Sequence, residues 1–159
     1  MDTYKRPLKA KATGKLSRPS TKKVMGTRSN EMKEVDAKTA SLVVEIMNAR
    51  TSFHKLHLQV TGDGSFAQHK ALNELYDSLP DLVDTIAEGY QGACEVILMY
   101  PDKAPATLTN VDGALDYMRM LISQIDELQY CMPHSEIVSN LDLIKDEINS
   151  AKYKLLFLS

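Results

Sequence analysis

With 159 residues the chain is long enough for one domain with a substantial core, and its 43% hydrophobic and 25% charged content is ordinary for a soluble globular protein. No apolar run approaches the roughly eighteen residues of a membrane span, and two cysteines outside any CxxC spacing exclude a disulfide framework and a recognisable zinc site. The net charge of −2 hides a segregation: residues 1–31 carry nine Lys/Arg against two acids, a balance of +7, and residues 32–159 carry ten against nineteen, a balance of −9.

In chain order, the first element is the basic arm, residues 1–31. Its Lys, Arg, Ser, Thr and Pro, with only scattered apolar residues, cannot bury enough surface to offset ordering entropy, so it is expected to be disordered in isolation. It lacks the apolar stretch of a secretory signal, and Pro7 and Pro19 oppose the amphipathic helix of a transit peptide. Lys5, Arg6, Lys9, Lys11, Lys15, Arg18, Lys22, Lys23 and Arg28 can each neutralise phosphates and release counterions. Nothing in the arm suggests base readout, so DNA binding through it is expected to be sequence-indifferent. The alternative is docking on an acidic surface of a neighbouring subunit.

Residues 32–159 predict an all-α domain of four helices. The first runs over about 33–61 with Val35, Leu42, Val43, Ile46, Met47, Phe53, Leu56 and Val60 as its stripe, and Gly62-Asp63-Gly64 stops it. Ser65 with Gln68 three residues later resembles a capping box. The second covers about 66–90 with Leu72, Leu75, Tyr76, Leu79, Leu82, Val83, Ile86 and Tyr90, and Pro80 should kink it or tighten a turn. The third spans about 110–131 and the fourth about 135–158, with Pro133 at the corner between them. Short connections make each of these pairs antiparallel. The stretch between the second and third helices is long enough to cross the bundle, as ferritin-like folds require, and Ala93–Tyr100 is expected to form a short helix within it. Cys94 and Cys131 read as core thiols in a reducing compartment.

On the second helix His69 and Asn73 are four apart, as are Asp84 and Glu88, so each pair projects from one side and can grip an ion. The bland alternative is a solvated polar face. The centres of the two pairs lie roughly 22 Å apart along the axis, nearly in angular register, so one chain cannot bring both to one metal. Two copies crossing antiparallel can, with His57 at the end of the first helix closing each of two equivalent sites. Mixed nitrogen and carboxylate donors suit iron, with zinc or manganese as alternatives.

His57, Gly62, Phe66, His69, Asp84 and Glu88 occur at the spacings of the Dps family of mini-ferritins, and the phrase DTIAE at 84–88 matches as well. The sequence resembles that family strongly over about 35 residues, and the helix plan extends the likeness over 33–158. The resemblance implies a twelve-subunit cage built from two-fold dimers, with di-iron ferroxidase centres at the interfaces. Fe(II) would be oxidised there, usually by peroxide, and stored as ferric mineral. It also implies that a basic arm holds DNA, and hence a nucleoid-associated, cytoplasmic protein. His57, His69 and position 73 would come from one subunit, Asp84 and Glu88 from its partner.

Two departures weaken the match. Asn73 stands where the family has a metal-binding Asp, so each site loses a negative charge. Leu58 replaces the Trp that commonly follows the first His. His54 and Asp77 are the nearest substitute ligands. A divergent member, such as the Dps-like proteins encoded by some bacteriophages, would keep the bundle as a structural or virion-assembly part with degenerate metal sites.

Overall fold

The first helix begins where the chain supplies a cap: the Ser29 hydroxyl accepts a hydrogen bond from the Met32 N–H, and α1 (Asn30–His57) follows. In the computed structural model, which describes residues 28–159, α1 is joined by α2 (Ser65–Cys94), α3 (Val111–Cys131) and α4 (Ser135–Phe157). The described residues contain no strand. The expected all-α four-helix bundle is therefore what the chain forms. The expectation of disorder in the arm, up to residue 27, lies outside the described residues. Residues 28–31 instead carry the cap and first turn of α1.

Around the bundle the helices follow the order α1, α2, α4, α3, each packing on two neighbours. Residues 95–110 run along the outside of α1 from one end of the bundle to the other. Asn48 donates to the Lys103 carbonyl, the Ser52 hydroxyl lies 2.8 Å from the Ala106 carbonyl, and Lys103 reaches Ser41 and Glu45. This long crossover makes α3 antiparallel to α1 while α1/α2 and α3/α4 remain antiparallel hairpins. The short helix expected over Ala93–Tyr100 does not form. Helix α2 absorbs residues 93 and 94, Glu95 turns left-handed at φ 51°, and only Leu98 of the next five is buried. β-branched Val96 and Ile97, followed by a residue committed to extended backbone before Pro101, favour that outcome.

The apolar stripes close on one core. Val43, Ile46 and Phe53 of α1, Leu72, Leu75 and Ile86 of α2, Met118 and Ile125 of α3 and Leu141, Ile144 and Ile148 of α4 are all buried. Each such side chain contributes about 1.5–3 kcal/mol on leaving water. Met47 departs from the expected stripe. It is 45% exposed, in a groove it shares with Arg50, Pro80 and Asp84. Helix α2 continues through Pro80. No helix among the described residues is long and apolar enough to cross a membrane.

Two glycines reverse the chain between α1 and α2, Gly62 at φ +88° and Gly64 at φ +75°. Gly64 is the N-cap of α2 and makes no side-chain cap bond, so the capping box expected at Ser65 and Gln68 is absent. A Cβ at Gly64 would stand 2.8 Å from the backbone carbon of Ser159. Gly64→Ala should therefore destabilise by about 1–2 kcal/mol or more, combining a left-handed backbone penalty with a clash. Gly92→Ala, helical and open within 4 Å, should stabilise by up to about 1 kcal/mol. Thermal melts of the two variants check the opposite signs.

Two buried tyrosines tie the fold to pH. Tyr117 donates to Glu45 at 2.8 Å and Tyr90 to Asp36 at 2.7 Å, and burial, then the neighbouring carboxylate, pushes both phenols above their ordinary value of 10.0. Below that pH folded and unfolded chains both hold the proton, so the contribution is intact. Above it the unfolded chain ionises first, and stability should fall by about 1.4 kcal/mol per pH unit per tyrosine. Denaturant titrations from neutral to strongly alkaline pH should show that slope, reduced by one tyrosine's share in Tyr117→Phe.

Candidate metal centre

The reversal at Gly62 and Gly64 lays the end of α1 against the start of α2, and there His57 meets His69. The rings stack with centroids 3.6 Å apart and planes 26° apart. His57 Nδ1 lies 2.9 Å from the His69 carbonyl, and His69 Nδ1 lies 3.2 Å from the His57 carbonyl. A carbonyl only accepts, so both Nδ1 atoms must carry the proton and donate. In the neutral tautomer that these contacts select, the lone pair is on Nε2, the form in which imidazole ligates a metal. His57 is buried at 6% exposure, while His69 is exposed and forms its outer cover.

His54 joins this patch by stacking on Tyr76 at 4.3 Å, and Tyr76 also meets the edge of His57 at 5.2 Å. Four rings from α1 and α2 thus form one continuous group. Tyr76, an apparent core residue from its spacing, is the ring that links His54 to His57. Asn73 is engaged locally: its Nδ2 donates to Asp77 at 2.9 Å and its Oδ1 accepts from the Tyr76 hydroxyl at 2.8 Å. Its amide reaches Asp77 rather than standing beside His69 as a second ligand of the same face.

Asp84 and Glu88 lie exposed farther along α2, toward the opposite end. Tyr100 from the crossover lies against Asp84: burial, then that carboxylate's charge, raises the Tyr100 phenol above its ordinary range. The structure brings His54, His57 and His69 together around Tyr76, holds Asn73 on Asp77 and Tyr76, and leaves the two acids apart within one chain. Among the described residues no group of three or more His, Cys, Asp or Glu side chains is gathered to hold a metal ion.

Of the basic residues expected to contact phosphate, Lys5, Arg6, Lys9, Lys11, Lys15, Arg18, Lys22 and Lys23 lie outside the described residues. Arg28 is described, and its guanidinium is committed to the body. It pairs with Asp36 at 2.7 Å and donates to the Cys94 carbonyl at 2.9 Å, stitching the start of α1 to the end of α2. The cysteines pack against the core but are only half-buried, and Cys94 lies 3.4 Å from His134. Sequence spacing missed that pair, because residues forty apart meet only once the order of helices around the bundle is known.

Fold and site together define a four-helix bundle protein with a histidine group at one end and an acidic face along α2. The chain belongs to DUF5856, a family of unknown function, whose model matches residues 57–155, more than half of its length. No curated protein and no solved structure matches it.

The reciprocal clamp predicts strong coupling between the two histidines. His57→Ala and His69→Ala should be non-additive in urea denaturation, with an interaction energy of about 1 kcal/mol or more in the double-mutant cycle. Additive losses would show that the two rings stabilise the turn independently.

Proposed function

We propose that the chain is a Dps-like iron-handling subunit that captures Fe(II) between copies of itself. His57 and His69 of one copy would supply two imidazole nitrogens, and Asp84 and Glu88 of a second copy two carboxylates. The observation that carries this reading is the clamp at the turn, because both Nδ1 atoms are spent on carbonyls and both Nε2 lone pairs are left for a ligand. The acids stand roughly 22 Å along the same helix, a separation that an antiparallel two-fold pairing of α2 closes twice over. Exposed apolar surface supports such pairing: Met47 shares the groove of Asp84, Tyr100 lies near that carboxylate, and Ile97 and Met99 are exposed on the same crossover.

Two carboxylates balance the charge of one Fe(II), so a neutral Asn73 favours a mono-iron over a di-iron site. Two Fe(II), one at each of the two equivalent sites of a dimer, would each give up one electron to a single peroxide, the oxidant that the Dps resemblance implies. Its O–O bond breaks, and its oxygens leave as two waters with two protons taken up. Zinc or manganese would compete for the same donors. The twelve-subunit cage, with mineral stored inside it, is proposed on the same resemblance. The basic arm, with its +7 balance, would hold DNA by phosphate contacts and place the protein on the nucleoid.

A second reading is favoured by the Asn73 amide being spent on Asp77 and Tyr76. In it the bundle serves as a structural or assembly part, virion-associated, with degenerate metal sites.

Solution mass and ferrous oxidation followed by absorbance separate the two. On the leading reading the chain is at least dimeric, and His57→Ala or Glu88→Ala abolishes both iron binding and oxidation. Asn73→Asp should raise Fe(II) affinity about tenfold or more by adding a third carboxylate. An oligomer that oxidises no iron, either as wild type or as Asn73→Asp, would establish the structural reading. For the arm, deleting residues 1–27 preserves the Ser29 cap and the Arg28 pair. It should abolish DNA retardation at low salt, and unchanged retardation would reject the phosphate-binding assignment.

A further inference from the structure

The end of the bundle opposite the histidine clamp holds a second group of reactive side chains. Cys94 closes α2 and His134 is the N-cap residue of α4, where its side chain makes no cap bond. Cys94 Sγ and His134 Nε2 are 3.4 Å apart, and His134 Nδ1 faces Glu136 Oε1 at 3.7 Å. Nucleophile, base and a carboxylate behind the base are therefore in sequence, though Glu136 stands at ion-pair rather than hydrogen-bond distance. Arg28 also lies beside Cys94. Its guanidinium reaches the Cys94 carbonyl at 2.9 Å, and its buried Nε–H has no acceptor among the described residues.

Cys131 offers an internal comparison. It is half-buried like Cys94, yet among the described residues its thiol donates to the Leu128 and Glu127 carbonyls of its own helix, with the Lys38 ammonium nearby and no histidine as a hydrogen-bond partner. Exposure does not distinguish the two thiols; their neighbours do.

The geometry points to the Cys94–His134 pair as a peroxide-reactive thiol site, whose substrate is hydrogen peroxide or a small organic hydroperoxide. His134 Nε2 takes the thiol proton while the sulfur attacks one peroxide oxygen. The S–O bond forms, the O–O bond breaks, and the departing oxygen leaves as water or alcohol with the proton from His134. Sulfur loses two electrons to become the sulfenic acid, and the peroxide gains them. Glu136 is a positioning residue that favours the tautomer with the proton on Nδ1. The Arg28 guanidinium, held on the Cys94 carbonyl, adds positive charge next to the thiol and favours its ionised form.

The test treats the full-length chain with substoichiometric hydrogen peroxide and a metal chelator, traps sulfenic acid with dimedone, and compares Cys94 with Cys131 by mass spectrometry. Cys94 should be labelled about tenfold faster or more, the scale of assistance by a positioned base. His134→Gln should remove that preference while leaving the Cys131 rate unchanged, and added imidazole should restore part of it. Equal labelling in the wild type, or preference for Cys131, overturns the proposal without any variant being needed. A Cys94 rate indifferent to His134→Gln in a folded variant overturns it too. Because the chelator removes bound iron, the outcome is independent of the metal reading.

Discussion

The chain must reverse between His57 and Ser65, and the left-handed backbone at Gly62 and Gly64 is what permits it. Most of the architecture depends on that reversal. It makes α1 and α2 antiparallel, which sends the end of α2 back to the start of α1, where Arg28 bridges the two. From there the crossover has to travel the length of α1 before α3 begins, and the Asn48 and Ser52 contacts guide it. The last residue of the chain packs on the same turn, since any side chain at Gly64 would collide with Ser159. A turn that had room for a Cβ would leave α4 without that seat.

The helices were legible because apolar residues recur at helical spacing, and burial is what that spacing encodes. Their ends were less so. The Ser29 cap starts α1 earlier than the stripe does, and α1 stops at His57 because the two His–carbonyl bonds and the glycines take over there. The apolar run 93–100 misled because hydrophobicity alone does not separate a buried helix from a segment lying flat on one. The capping box at Ser65 was a sound local pattern overridden by the glycine before it.

The candidate site divides along the same line. That His57 and His69 lie near each other follows from a short turn between two helices, so the sequence carried it. How Asn73 spends its amide did not follow, because Asp77 and Tyr76 are both within reach on one helix face, and spacing does not rank them. The Cys94–His134 pair is a property of topology rather than of any local pattern.

The bundle is therefore chemically polar from end to end. Three of the four histidines gather at the turn, while Arg28, Asp36, Tyr90, Cys94 and His134 gather at the start of α1. Helix α1 has 28 residues, so the two ends stand roughly 42 Å apart at the helical rise. That is several Debye lengths at physiological salt, where screening acts within about 8 Å. On the proposed reading, phosphate held by the arm is electrostatically invisible to iron at the clamp within one chain. On the same reading, the −9 balance of residues 32–159 would repel DNA, and phosphate contacts would fall to the basic residues before them. Arg28, the one basic residue of that set among the described residues, is instead pinned to Asp36 at this end of the bundle.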